Sequence, residues 1–231
     1  MNGSNEAWMD QARREVPPRK LEKQIAMVRT SCGVFGREGY ARASVDALAA
    51  AAGISTRTLY NHFPGGKAEL FRTVVTWTSN DVKDAQISRL RSLLPPERPP
   101  HPDDLERDLV ALARAFVDLI ADYRDHFALV RHIHAEADHV PAEVLEAWKS
   151  AGPEPVGRAL ADAMTGLAAA GLIDTHGDPA LAGTHFTALT SQSIMQLSHY
   201  GVLPLPKDRT EHLITAGVAA FLRAYRAPRA G

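Results

Sequence analysis

One cysteine, Cys32, is too few for an intramolecular disulfide framework. Its thiol suits a small apolar core position in a reducing compartment, and a cytoplasmic protein is expected. No apolar run approaches the ~18–20 residues that span a bilayer, so no membrane segment is expected. The opening residues MNGSNEAWMDQARREVPPRK lack the apolar centre of a secretion signal and read as a flexible polar arm over 1–18. A nucleophile elbow, a P-loop, a dinucleotide-binding glycine pattern and a metal-ligand set are all missing. An enzyme is therefore not expected, and no cofactor is implied. Sustained apolar–polar alternation is missing too, which argues against a sheet.

What is present is helical periodicity over most of the chain. Ala, Leu, Arg, Glu and Asp recur at helical spacing, and the pattern predicts an all-α protein of nine or ten helices. The first runs from about Arg19 to Glu38, with an apolar stripe of Ile25, Val28, Cys32 and Phe35, and Gly39 stops it. Gly33 inside it should cost about 1 kcal/mol of helix propensity relative to Ala. A long helix follows from near Lys67 to Leu94. The proline-rich PPERPPHP at 95–102 must be loop. Helices are then expected from Asp103 to near Tyr123, from about His126 to Asp138, and from Pro141 to Lys149. Pro153 and Pro155 interrupt, and a helix resumes to Ala170. Two further long helices span about Asp178 to Tyr200 and Arg209 to Tyr225.

Residues 44–71, SVDALAAAAGISTRTLYNHFPGGKAELF, carry the functional signal. Ser44 is placed to cap a short helix with apolar positions at Val45, Leu48, Ala49 and Ala52, and Gly53 ends it. Ser55 caps the next, which holds Thr56, Arg57, Thr58, Tyr60, Asn61 and His62. Two short helices joined by a tight turn, the second rich in phosphate- and base-contacting side chains, read as a helix-turn-helix. Net charge is only −1, which argues weakly against nucleic acid. Its distribution is more telling. Residues 1–69 carry ten Lys/Arg against seven Asp/Glu, and the remainder sixteen against twenty.

Phe35, Gly39, Tyr40, Ser44, Val45, Leu48, Ala49, Ala52, Gly53, Ser55, Thr58, Leu59, Tyr60, His62, Phe63, Lys67, Leu70 and Phe71 form one pattern within Met27–Phe71. That pattern resembles the N-terminal domain of the tetracycline-repressor (TetR) family of bacterial regulators. The stretch GLIDTHGDPALAGTHFTAL, with EAD…P…W…GP before it, resembles the C-terminal domain of an efflux-repressor-like branch. The resemblance implies a DNA-binding domain over 19–66 and a ligand-binding and dimerisation domain over 67–231. It departs from the family between Phe63 and Lys67, where Pro64, Gly65 and Gly66 make three residues instead of two.

Thr56, Arg57 and Asn61 are the candidates for reading base edges, with Arg57 the best guanine partner. Ser44, Thr58, Tyr60, His62 and Lys67 are donors suited to phosphate oxygens. One helix-turn-helix of this size binds weakly, so a homodimer on a palindromic operator is expected. The last two long helices are the candidate interface. Ala216, Gly217, Ala219 and Ala220 would let a partner approach, while Leu213, Ile214, Val218, Phe221, Leu222 and Tyr225 supply apolar area. Leu181, Phe186, Leu189, Ile194, Met195 and Leu197 do the same on the preceding helix. An uncharged or weakly acidic aromatic or lipophilic effector is expected, with Trp77, Phe127, His132, Trp148, His185 and Gln192 as candidate contacts. The segment HIHAEADH places His132, Glu136 and His139 on one helical face, without a thiolate or supporting shell. It reads as a solvated face, not a metal site. The leading expectation is a ligand-relieved repressor; the alternative is an activator or a partner-controlled regulator on the same fold.

Overall fold

The structure, a computed structural model, describes residues 18–228. The flexible arm expected at 1–18 lies, but for Pro18, outside them. Among the described residues the chain is helical and no strand forms. A single isolated antiparallel bridge pairs Ile173 with Arg226. The all-α expectation holds.

The elements are α1 (Pro18–Arg42), α2 (Val45–Ala51), α3 (Thr56–His62), α4 (Gly66–Leu93), α5 (Leu105–Asp122) and α6 (Arg124–Ala135). After them come α7 (Ala142–Ala151), α8 (Pro153–Ala169) and α9 (Pro179–Thr187). A π-helical turn, Ala188–Gln192, joins α9 to α10 (Ser193–Leu197), and α11 (Lys207–Tyr225) closes the fold.

Several boundaries differ from those expected, each for a local reason. Gly39 does interrupt the first helix, at φ 78° and ψ 171°, but one further helical turn follows it to Arg42. Pro153 and Pro155 do not interrupt a helix. They occupy the first turn of α8, where a missing N–H breaks no bond, and only Gly152 separates it from α7. α6 ends at Ala135, three residues early, so Glu136 and His139 lie in the turn beyond it. The helix starting at Asp178 opens as expected, with the carboxylate accepting from the Leu181 N–H at 2.8 Å and Pro179 behind it. It then passes through the π turn that no sequence period announces.

Two compact units arise from the described residues. The first holds residues 18–84 and 123–153. Its core is Met27, Val28, Cys32, Val34, Phe35, Leu48, Leu59, Phe63, Leu70, Phe71, Val74 and Leu129, with further residues of α6 and α7. Phe35 stands edge-on to Phe71 with centroids 4.7 Å apart. Cys32 is buried there as expected, and burial pushes its thiol up to about 12. α1 packs along α6 in this unit, so the helix-turn-helix shares a core with a helix from beyond residue 100.

The second unit holds residues 85–122 and 154–228. Its interior includes Leu109, Leu112, Phe116, Met164, Phe186, Ile214, Val218 and Phe221, all buried. Phe221 stacks on Tyr225 at 4.8 Å and meets Phe186 edge-on at 5.5 Å. A bidentate Arg114–Glu211 pair ties α5 to α11 at the surface. Gly217 has a specific job. A β-carbon there would stand 2.0 Å from the Leu189 carbonyl oxygen, so α11 and the π turn meet backbone to backbone. That corrects the expected use of the small residues of α11, since Gly217 admits a segment of its own chain.

Candidate nucleic-acid interface

The α2–α3 corner is built by local hydrogen bonding. Ser44 Oγ accepts from the Ala47 N–H at 3.0 Å, capping α2. At the other end, Gly53 takes φ +65°; its N–H donates to the Ala50 carbonyl and the Ile54 N–H to the Ala49 carbonyl, both at 3.0 Å. These two bonds are a Schellman motif, which needs a residue free to adopt a left-handed backbone. Ser55 Oγ accepts from the Thr58 N–H at 3.1 Å and starts α3. Leu48, Ala49, Leu59 and Phe63 face the core and hold the two helices against α1 and α4.

What remains outward on α3 is Arg57, Tyr60 and Asn61, all exposed, Tyr60 by 48%. Thr56, Thr58 and His62 are half-buried. Thr58 Oγ1 lies 2.9 Å from Ser55 Oγ and completes the cap, while the His62 carbonyl accepts from Gln24 Nε2 at 3.3 Å. The outward face is thus a guanidinium, a phenol and an amide within five residues, the kinds of group that reach base edges and phosphates.

The three-residue turn Pro64-Gly65-Gly66 has a physical account. Gly66 sits at φ +65°, and a β-carbon there would stand 3.0 Å from Tyr60 Cε1. Its missing side chain therefore makes room for the Tyr60 ring. The Gly65 N–H donates to Glu69 Oε2 at 2.7 Å, anchoring the turn to the first turn of α4. Lys67 is placed differently from a free phosphate donor. Its Nζ donates to the carbonyls of Tyr40 at 3.0 Å and Ala41 at 3.5 Å, and lies 4.6 Å from the Tyr40 ring centroid. One of its three donors is left for an anion.

The N-terminal residues 28–74 match the family model of bacterial regulatory proteins of the tetR family. Residues 107–227, over half of the chain, match the AefR-like transcriptional repressor C-terminal domain. The chain is a TetR-family regulator. The solved structure of a regulator assigned to this family from Mesorhizobium loti MAFF303099 superposes with a TM-score of 0.71 at 28% identity, covering 90% of this chain and 99% of that one. The flavonoid-responsive regulator FrrA gives 0.61 at 30% identity over the same shares. The HTH-type transcriptional regulator CymR of Pseudomonas putida is 28% identical over 134 residues, 58% of this chain and 60% of that protein. This TetR-family protein is thus a DNA-binding transcriptional regulator and not an enzyme, and α2–α3 is its helix-turn-helix. No helix among the described residues is long and apolar enough to cross a membrane.

The residues expected at an effector site divide between the two units. Trp77 and Trp148 are half-buried against the core of the first, and Phe127 is buried there. His132 is half-buried and bonded to Glu136, 3.2 Å away. In the second unit His185 and Gln192 are exposed, and His185 Nδ1 lies 2.6 Å from the Tyr225 hydroxyl. Sequence reasoning missed two polar groups of the first unit. His126 is buried, and burial lowers its imidazole to about 4. Its Nδ1 lies 3.1 Å from Thr78 Oγ1; because that hydroxyl donates to the Val74 carbonyl at 2.9 Å, Nδ1–H is the donor. Ser79 Oγ is buried and makes no hydrogen bond. HIHAEADH is not a solvated helical face, because its helix ends before Glu136.

Proposed function

We propose that the protein is a homodimeric repressor of a palindromic operator in the bacterial cytoplasm, released by a small aromatic or lipophilic effector. The observation that carries the reading is the outward triad Arg57, Tyr60 and Asn61 on a capped recognition helix. Arg57, Asn61 and Thr56 read bases; Tyr60, Ser44, Thr58, His62 and the remaining donor of Lys67 take phosphates.

Dimerisation is supported by the surface of the second unit. From Pro179 to Pro206 the sequence has no Asp, Glu, Lys or Arg. Leu181, Leu189 and Leu197 are exposed on that stretch, beside Val202 and Leu203. Such an apolar, uncharged face is ordinarily covered, and a second copy also supplies the second recognition helix. The interface is narrower than the sequence suggests. Phe186, Ile194, Ile214, Val218, Phe221, Leu222 and Tyr225 are consumed by the chain's own core, leaving the leucines with Ala216, Ala219 and Ala220.

The effector class rests on Trp77, Phe127 and Trp148, with the unbonded Ser79 hydroxyl as a polar anchor. A relative at 30% identity described as flavonoid-responsive fits that chemistry. Footprinting the purified protein on DNA of its source genome tests the core of the proposal. Protection of a palindrome, with affinity falling steeply as salt rises, is expected. Protection confined to one half-site, or none at all, would refute it.

A further inference from the structure

Gly33, Gly36 and Gly39 are spaced three apart on α1 and face α6. A β-carbon on Gly36 would stand 3.1 Å from the Asp125 carbonyl oxygen and 3.2 Å from Ala128 Cβ. One on Gly33 would stand 3.6 Å from Asp125 Oδ2. One on Gly39 would overlap Glu136 Oε1 at 2.2 Å and crowd His132 Nδ1 at 2.9 Å. The glycines thus seat α6 directly on α1, and at the far end a carboxylate fills the space over Gly39.

That carboxylate is organised on both oxygens. Glu136 Oε2 accepts from the Ala41 N–H at 3.3 Å. Its Oε1 lies 3.2 Å from His132 Nδ1, and Arg131 Nη2 lies 3.5 Å from His132 Nε2. A guanidinium only donates, so Nε2 accepts and Nδ1–H points at Glu136. The turn that Glu136 grips, Gly39–Ala43, runs directly into Ser44, the cap of α2; the Ala43 N–H donates to the Gly39 carbonyl at 3.3 Å. Lys67 holds the same turn from its other end through two carbonyls. An anion on the N–H side and a cation on the carbonyl side match the polarity of one helical turn.

We infer that Glu136 is a positioning residue for operator binding. It touches no DNA; from the turn after α6 it fixes the α1–α2 corner, and with it the aim of the recognition helix. This rests on α2–α3 binding DNA and is independent of what the effector is. Charge alone gives the opposite sign, because deleting a carboxylate from a DNA-binding domain should tighten its hold on a polyanion.

The test compares Glu136→Ala, Glu136→Gln and Glu136→Asp on the operator fragment that the wild type protects. Losing a charged acceptor should weaken Glu136→Ala by about tenfold or more, with the dependence of affinity on salt unchanged because no phosphate contact is lost. Glu136→Gln can keep its one oxygen on the Ala41 N–H, with its NH2 turned to His132 Nδ1 in the other tautomer, and should bind close to wild type. Glu136→Asp keeps the charge but retracts it by one methylene, and should weaken like Ala. Amide exchange of the Ala41 N–H should quicken in the Ala and Asp variants only. Wild-type affinity in Glu136→Asp, or tighter binding in Glu136→Ala, overturns the inference. A wild type that protects no DNA refutes the operator reading instead. Should Glu136→Ala not fold, the Asp and Gln pair decides alone.

Discussion

Leu181, Leu189 and Leu197 are 46%, 41% and 46% exposed in the single chain. Full burial of a leucine stabilises by roughly 1.5–3 kcal/mol, so covering the exposed part of each contributes about 1 kcal/mol. A two-fold interface counts each position twice, giving about 6 kcal/mol from the three leucines. Replacing Leu189 and Leu197 by Glu forfeits most of that and brings four carboxylates into a surface otherwise free of charge. Burying an unpaired carboxylate costs several kcal/mol. The double variant should therefore weaken dimerisation by at least about a thousandfold, or ~4 kcal/mol. Both positions face water in the monomer, so helix content by circular dichroism should stay as in wild type. Sedimentation equilibrium over a concentration series reads the dissociation constant, and gel shifts on a full palindrome and on a half-site read its consequence. Monomers that lose the palindrome while keeping weak half-site binding are expected. A double variant that still sediments as dimer at the wild-type constant would place the interface elsewhere and refute the argument.

Arg57→Ala should relax preference at one base position by about 1–3 kcal/mol, whereas Tyr60→Ala should weaken all sequences alike; binding to a set of single-base operator variants separates the two. Gly217→Ala gains about 1 kcal/mol of helix propensity. The collision with the Leu189 carbonyl outweighs this and should destabilise by about 1–3 kcal/mol, so a urea midpoint that rises instead would refute the close approach. His126 titrates at about 4 when folded and near 6.5 when unfolded. Between those values the unfolded chain binds the extra proton, so stability is retained above about pH 6.5 and lost as pH falls towards 4. The shift corresponds to about 3 kcal/mol; the difference in melting temperature between wild type and His126→Gln, followed from pH 7 to 4, should expose it, and parallel curves would contradict it.

The parts legible in the sequence are those made by neighbours along the chain. Ser44, Gly53 and Ser55 cap and stop helices through bonds to residues within a few positions, so pattern alone placed them. Leu59 and Phe63 could be assigned to the core because each lies two residues, about 200° round the helix, from Arg57 or Asn61. The unreadable parts are long-range. Gly33 looks like a small defect in α1 until α6, some ninety residues on, lies beside it. Lys67 looks like a surface donor until the carbonyls of Tyr40 and Ala41 are seen to take it. Gly217 suits a partner's approach as well as it suits its own chain's, and composition cannot choose between them. The units also divide differently from the segments 19–66 and 67–231, because α6 and α7 join the first unit's core.

The π turn at Ala188–Gln192 sets where the leucines point. In a plain α-helix each residue advances about 100°, so positions eight apart are offset by roughly 80°. A π turn takes up one extra residue, which reduces the offset between Leu189 and Leu197 to about 20°. Both then lie on nearly one line along the surface. The turn behaves as a one-residue insertion that re-indexes everything after it. Removing Ser191 would let the turn relax to plain α-helix and leave Leu197, then seven residues from Leu189, still within about 20° of that line. A helix one residue shorter and without the π turn would thus present the same line of leucines, so the surface is set by the turn and the residue count together.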